Sequence, residues 1–330
     1  MINQTDLKEL NKGDSLDHFL LVKKSEVRTT KTNKDYLLLE LGDQSMSLGA
    51  NVWENFENLT SVKPGDIVKV KGSIEEFQGT PQIRVTKIHP VEPDDNVSVT
   101  DFLPRSKRDL KEMEKEFSGR IEKISNKNLS ELLSKIFNEE RYQKYIHAPA
   151  GKSWHHAYIH GLLEHTLEIV KICDLMCDFH PELNRDLLIC GALLHDLGKI
   201  TELSFDSAFE YTDKGKLIGH IVIAAVIIEK ESAGIKNFPE DLKNILIHLV
   251  LSHQGKLEHA SPVVPKTVEA IALYQADELS AKVNAYKNAV ISEMRADSKW
   301  TRFITLAQTD LYKFEISDEL DIKLKKSLFD

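Results

Sequence analysis

The run Gly191-Ala192-Leu193-Leu194-His195-Asp196-Leu197-Gly198-Lys199 sets an imidazole beside a carboxylate at the end of an otherwise apolar stretch. An apolar run of this length has to be buried, and burying a polar side chain without a partner costs on the order of 2–7 kcal/mol. A divalent cation satisfies a histidine and an aspartate together, because imidazole and carboxylate are both good ligands for transition metals. The pair therefore constrains the chain to a fold that buries helix ends around a metal.

One dipeptide does not make a site, but four further positions share its character. His165 follows Gly161-Leu162-Leu163-Glu164, His220 follows Ile218-Gly219, His253 ends Leu249-Val250-Leu251-Ser252, and Asp277 follows Leu273-Tyr274-Gln275-Ala276. Each falls in a separate predicted helix. A single buried histidine is often just a satisfied core residue, whereas five such positions in one chain point to convergence.

In order and spacing, His165, His195-Asp196 and Asp277 resemble the H…HD…D pattern of the HD phosphohydrolase superfamily. The intervening His220 and His253 resemble the subset that holds two metals. Lys199 matches an HDxGK variant, and the segment from Trp154 to Thr166 is similar to the YhaM-type 3′-to-5′ exoribonucleases over most of the chain. The resemblance implies a helical domain with two divalent ions, manganese first and iron, cobalt, zinc or magnesium as alternatives. It also implies that Asp196 bridges the ions, that His165, His195 and Asp277 complete one site, and that His220 and His253 complete the other. Lys199 is then placed to contact substrate phosphate or orient water. His156, on one expected helical face with His160, is placed to bind the scissile phosphate or protonate the leaving oxygen. His160 and His259 are expected to be incidental.

The 330-residue length suits two domains. From about Leu16 to Val91 the pattern alternates with period two between turn residues, which predicts strands. Five are expected, starting near Leu16, Asp35, Met46, Ile67 and Gln82, with a short helix near Glu54 to Leu59. Their count and order suggest an OB-type barrel. On it Tyr36, Arg28 and Phe77 are the chosen candidates for binding nucleic acid, by stacking and by phosphate contact. The expected organisation is a small all-β OB-type barrel over residues 1–96, a helical connector over 97–146 and an all-α HD-domain helical bundle over 147–330. Helices are expected nearly to the end of the chain, interrupted by a short hairpin or lid between Ser204 and Lys216.

Charge narrows the function further. With 43 basic and 52 acidic residues the chain does not coat nucleic acid by bulk charge, and only residues 101–147, with 11 basic and 9 acidic groups, are net basic. A local groove is still compatible with that balance. The longest apolar stretch, Ile218 to Ile228, contains His220 and runs into Glu229-Lys230-Glu231, so no membrane span is expected. The start of the chain lacks a secretory pattern, so the protein is expected in the cytoplasm, with Cys173, Cys177 and Cys190 as free thiols. The main expectation is a metal-dependent 3′-to-5′ exoribonuclease that takes single-stranded RNA, with single-stranded DNA and a homo-oligomeric state left open. An HD-type nucleotide phosphohydrolase or cyclic-dinucleotide phosphodiesterase is the first alternative, and a non-catalytic nucleic-acid adaptor is the second.

Overall fold

A computed structural model describes residues 4–30, 32–54, 56, 59–77, 80–205, 209–295 and 298–314. Five strands, β1 (Ser15–Thr29), β2 (Asp35–Gly42), β3 (Ser47–Val52), β4 (Ile67–Phe77) and β5 (Thr80–Pro90), close into a barrel in the order β1-β2-β3-β5-β4. Closure joins β3 to β5 in parallel, at Gly49–Gln82 and Ala50–Ile83, while every other pairing is antiparallel. The alternation in sequence becomes the two faces of the sheet. Leu16, Leu20, Val22, Leu37, Leu39, Leu41, Leu48, Ala50, Val68, Val70, Ile74 and Ile83 fill the interior. Tyr36, Asn51, Arg84 and Phe77 are left to the outside. The short helix expected near Glu54 to Leu59 falls partly on residues 55, 57 and 58, which lie outside the described residues.

Helices α1 (Leu110–Glu122), α2 (Lys127–Ile136) and α3 (Glu139–His147) follow, each started by an Asp or Asn whose side chain accepts a backbone N–H of the first turn. Their apolar faces, including Met113, Phe117, Leu132, Leu133 and Ile136, enter the same core as the helices that come after. These are α4 (Gly161–Phe179), α5 (Arg185–Leu194), α6 (Lys199–Glu202), α7 (Asp213–Ile218), α8 (His220–Ala233), α9 (Glu240–Ser252) and α10 (Val268–Ser292). The connecting helices are thus built into the helical domain. Between α6 and α7, β6 (Leu203–Ser204) and β7 (Glu210–Tyr211) pair as the expected short hairpin, with residues 206–208 outside the described set. Phe205 and Phe209 pack with Leu21 and Ile67 of the barrel, Phe102 and Leu103 of the connection, and Ile159 of the loop before α4.

Two expectations are corrected. Among the described residues helix stops at Ser292: residues 293–295 and 298–314 run in turns held by isolated bridges, among them Met294–Thr301 and Trp300–Tyr312. His156 and His160 do not share a helical face either. Both adopt positive φ, 43° and 67°, which breaks a right-handed helix, and α4 begins only at Gly161. Among the described residues no helix is long and apolar enough to cross a membrane.

Candidate active site and nucleic-acid interface

Helix ends and one helix middle bring the six predicted ligands together. His195 and Asp196 leave the C-terminus of α5, His253 leaves that of α9, His220 opens α8, and His165 and Asp277 face each other from α4 and α10. Their ligand atoms fall into two groups, His165–His195–Asp277 and Asp196–His220–His253, each within 4.8 Å. Asp196 links them: its Oδ2 lies 3.3 Å from His195 Nε2 and 3.7 Å from His165 Nε2, and its Oδ1 lies 3.3 Å from His220 Nε2 and 3.6 Å from His253 Nε2. Asp277 Oδ1 approaches His165 Nε2 at 3.1 Å.

The donor set fits a pair of divalent cations on an observation independent of the motif. The Nε2 atoms of His165, His195 and His220 and Oδ1 of Asp196 are shut off from solvent and have no hydrogen-bond partner within the protein. Buried polar atoms are rarely left so. Meanwhile the far nitrogen of each imidazole is committed: His195 Nδ1 to the Ala192 carbonyl at 2.8 Å, His253 Nδ1 to the Val250 carbonyl at 2.7 Å, His220 Nδ1 to Glu202 Oε1 at 2.9 Å, and His165 Nδ1 to Ser280 Oγ at 3.0 Å. Each acceptor fixes a proton on Nδ1 and leaves the Nε2 lone pair facing the cluster, as metal-binding histidines require.

At Asp196, His165 and His253 the electrostatics agree with an ion-binding state, whereas at His195 burial is outweighed by the neighbouring Asp196, which raises the ring above its ordinary value. Burial alone would raise the Asp196 carboxyl, but Lys199, His195 and His220 hold it well below the usual carboxylate range, so it stays ionised. Burial, reinforced by neighbouring imidazoles, pushes His165 far down and His253 to about 4, which keeps both rings neutral and able to ligate. Lys199 Nζ sits 2.6 Å from Asp196 Oδ2 with its side chain buried, so it faces the cluster and not solvent. Gly198 has a local cause: a β-carbon there would stand 2.0 Å from the His220 carbonyl oxygen, so only glycine lets α6 and α8 meet at the site.

His156 is wholly buried in the loop before α4, its ring centroid 5.0 Å from that of His165, and His155 lies beside both, 4.9 Å from His165 and 5.7 Å from His156. His160 instead bonds the Ile146 carbonyl and directly precedes α4, and His259 is exposed. Sequence reasoning misses Glu202, Glu168 and Ser280, which hold the ligands from behind. The signal that points to two of them is spacing, since Glu168 and Ser280 follow His165 and Asp277 by three residues on their helices.

On the barrel, a groove of about 1040 Å³ runs over the outer face of β2, β3, β5 and β4, lined by Tyr36, Asn51, Trp53, Phe77, Arg84 and Lys87 among others. Tyr36 and Trp53 stack at 4.5 Å with 24° between planes, and Trp53 and Phe77 are 46% and 60% exposed. Trp53, an aromatic available for stacking in the sequence but not one of the three chosen candidates, joins Tyr36 and Phe77. Arg28 pairs across strands with Tyr36 but is not among the described residues lining the groove, and it bonds Glu26 at 2.8 Å.

A closed five-stranded barrel joined to a helical domain with a paired His/Asp cluster defines an OB-fold protein of the HD class, and the family models agree: an OB-fold nucleic acid binding domain matches residues 24–91 and an HD domain matches 162–282. The chain is 32% identical over 302 residues to the 3′-5′ exoribonuclease YhaM of Bacillus subtilis (strain 168), covering 91% of this chain and 95% of that protein. It is 34% identical to its counterpart in Oceanobacillus iheyensis, covering 84% and 87%. The chain belongs to the YhaM family. Among solved structures, a domain of replication protein A from Methanococcus maripaludis is 26% identical, covering 27% of this chain and 94% of that one, with a TM-score of 0.23.

Proposed function

We propose that the protein is a metal-dependent 3′-to-5′ exoribonuclease that hydrolyses single-stranded RNA to 5′-mononucleotides. The observation that carries the reading is the convergence of six side chains, four of whose inward atoms are buried without partners, in a chain whose relatives are named for this activity. Two divalent cations would be held by His165, His195, Asp196 and Asp277 on one side and by Asp196, His220 and His253 on the other, and would supply Lewis acidity and a water acidic enough to attack near neutral pH. Imidazole and carboxylate suit manganese, iron, cobalt or zinc, and we take manganese first.

The remaining roles fall to the chain itself. Asp196 stays ionised between the two halves, and Glu202 holds His220 from behind. Lys199, whose buried Nζ lies 2.6 Å from Asp196 Oδ2 and faces the cluster, contacts the scissile phosphate. His156 meets the phosphate or the departing oxygen from the α4 side. The exposed aromatics of the barrel groove, Trp53 and Phe77 with Tyr36, hold upstream bases by stacking, which is tolerant of sequence, while Arg28 at the groove's edge takes a phosphate.

End-labelled oligoribonucleotides test the reading. With manganese, a 5′-labelled strand should give a ladder of shortening products that keep the label, and a 3′-labelled strand should lose its label as mononucleotide in the first step. A shortening ladder that keeps the 3′ label overturns the polarity. Faster turnover of free nucleotides than of oligomers overturns the polymer substrate in favour of a nucleotide phosphohydrolase. Matched oligodeoxynucleotides, read in the same gel, fix the preference between RNA and DNA.

A further inference from the structure

Helices α4 and α10 meet in two rungs. On the first, His165 faces Asp277 at 3.1 Å. On the second, three residues further along each helix, Ser280 Oγ lies 2.7 Å from Glu168 Oε2. A carboxylate has no proton to give, so the Ser280 hydroxyl donates to Glu168 and spends its only proton there. Ser280 must then accept from His165, whose Nδ1 lies 3.0 Å away, and His165 is left with its bare Nε2 facing the cluster. The same Glu168 oxygen lies 3.2 Å from His156 Nε2. The approach is a charge contact and not an aligned hydrogen bond, and it draws the Nε2 edge of the buried His156 ring toward Glu168.

The fold holds His156 firmly for this purpose. Its backbone N–H donates to Asn284 Oδ1 at 2.9 Å, and its carbonyl accepts from Ala150 and Tyr158. Its φ of +43° is uncommon for a residue with a side chain, and such strain persists only where the surroundings over-determine it. Gly161 completes the clamp, since a β-carbon there would stand 2.0 Å from the His156 carbonyl oxygen. One stripe of α10, Asp277, Ser280 and Asn284 at spacings of three and four, therefore supplies a ligand, a relay and a backbone anchor.

We infer that Glu168 is a positioning residue shared by the metal cluster and the phosphate-facing histidine: through Ser280 it sets the tautomer of His165, and directly it orients His156. This rests on the exoribonuclease reading only for the role of His156, because the link to His165 is tested by ion binding alone.

Calorimetric titration of the full chain with Mn²⁺ reads the first arm, and kcat on an oligoribonucleotide at saturating Mn²⁺ reads the second. Ser280→Ala should weaken one of the two ions by about 10- to 100-fold, the usual effect of losing an outer hydrogen bond to a metal-bound histidine, with kcat restored at saturating Mn²⁺. Glu168→Ala should show the same loss of affinity together with a fall in kcat that excess Mn²⁺ does not restore. Glu168→Gln, whose amide oxygen still accepts from Ser280, should recover most of the affinity. In the double variant, Glu168→Ala should lower kcat no further once His156 is alanine. Glu168→Ala with unchanged ion affinity overturns the link to His165, and full recovery of its kcat by Mn²⁺ overturns the link to His156. If the wild type binds Mn²⁺ but cleaves no RNA, the exoribonuclease reading falls while the titration still decides the first arm.

Discussion

The two halves of this protein meet their ligands in opposite ways. In the helical domain the Nε2 atoms of His165, His195 and His220 and Oδ1 of Asp196 are shut off from water, and each of the four imidazoles is backed by an acceptor that fixes its proton. On the barrel the contact groups are exposed and interchangeable: two stacked rings, a third at the groove's far end, and cations already paired with neighbouring acids, as Arg84 is with Glu75 at 3.0 Å. The contrast follows from the tasks. Charge chemistry needs preorganised groups out of water, whereas holding a strand of any sequence needs flat surfaces and mobile charge. Losses in the first region should therefore be steep and specific, and those in the second shallow and shared.

The steepest test is Asp196→Asn. It removes the charge that both half-sites share, and we expect turnover of RNA to fall by on the order of 10²- to 10³-fold or more, the several kcal/mol that such ions contribute. Oligonucleotide affinity, followed by fluorescence anisotropy, should stay within about twofold if the barrel binds independently. A parallel loss of affinity would show that the strand is held mainly at the metal cluster, and would erase the contrast. Gly198→Ala comes next. Its new methyl would drive against the His220 carbonyl, so it should weaken the ion on the His220–His253 side by roughly 10- to 100-fold, as a disturbed ligand shell does, and leave the other ion in place. A metal titration resolving two binding steps checks this.

The same contrast decides what can be read from sequence. The six ligands are legible because five positions in one chain set an imidazole or carboxylate against an apolar run, which single satisfied core residues do not explain together, and the barrel is legible because its strands alternate and its interior residues, from Leu16 to Ile83, follow that parity. The residues behind the ligands are not legible. Glu202 reads as an ordinary helix-end acid until the fold brings His220 against it, and Ser280 reads as a small polar residue until α10 packs on α4. The path of His156 is misread as helical because the segment from Trp154 to His160 has no helix-breaking proline, and its two positive φ angles are imposed by Asn284 and by close packing at Gly161. Trp53 escapes because parity alone cannot rank outward aromatics, whereas the stack on Tyr36 does.

On the barrel the expected effects shrink. Trp53→Ala should lower oligonucleotide affinity by about tenfold, within the roughly 1–3 kcal/mol of one base–aromatic contact, and raise KM while leaving kcat on a dinucleotide unchanged; an equal fall in kcat would mean that the groove helps to build the active site. Arg28→Ala should do least, because its guanidinium is already half committed to Glu26 and exposed pairs of this kind are worth roughly 0–1 kcal/mol. If Arg28 takes one phosphate, the slope of log affinity against log salt should drop by about 0.7, the value for one contact to a single strand, although affinity at any one salt concentration changes by only a few fold. Glu26→Gln should move the other way, freeing Arg28 and tightening binding. An unchanged slope in Arg28→Ala, with Glu26→Gln equally silent, would leave that pair as surface decoration and confine nucleic-acid contact to the groove that Trp53 and Phe77 flank.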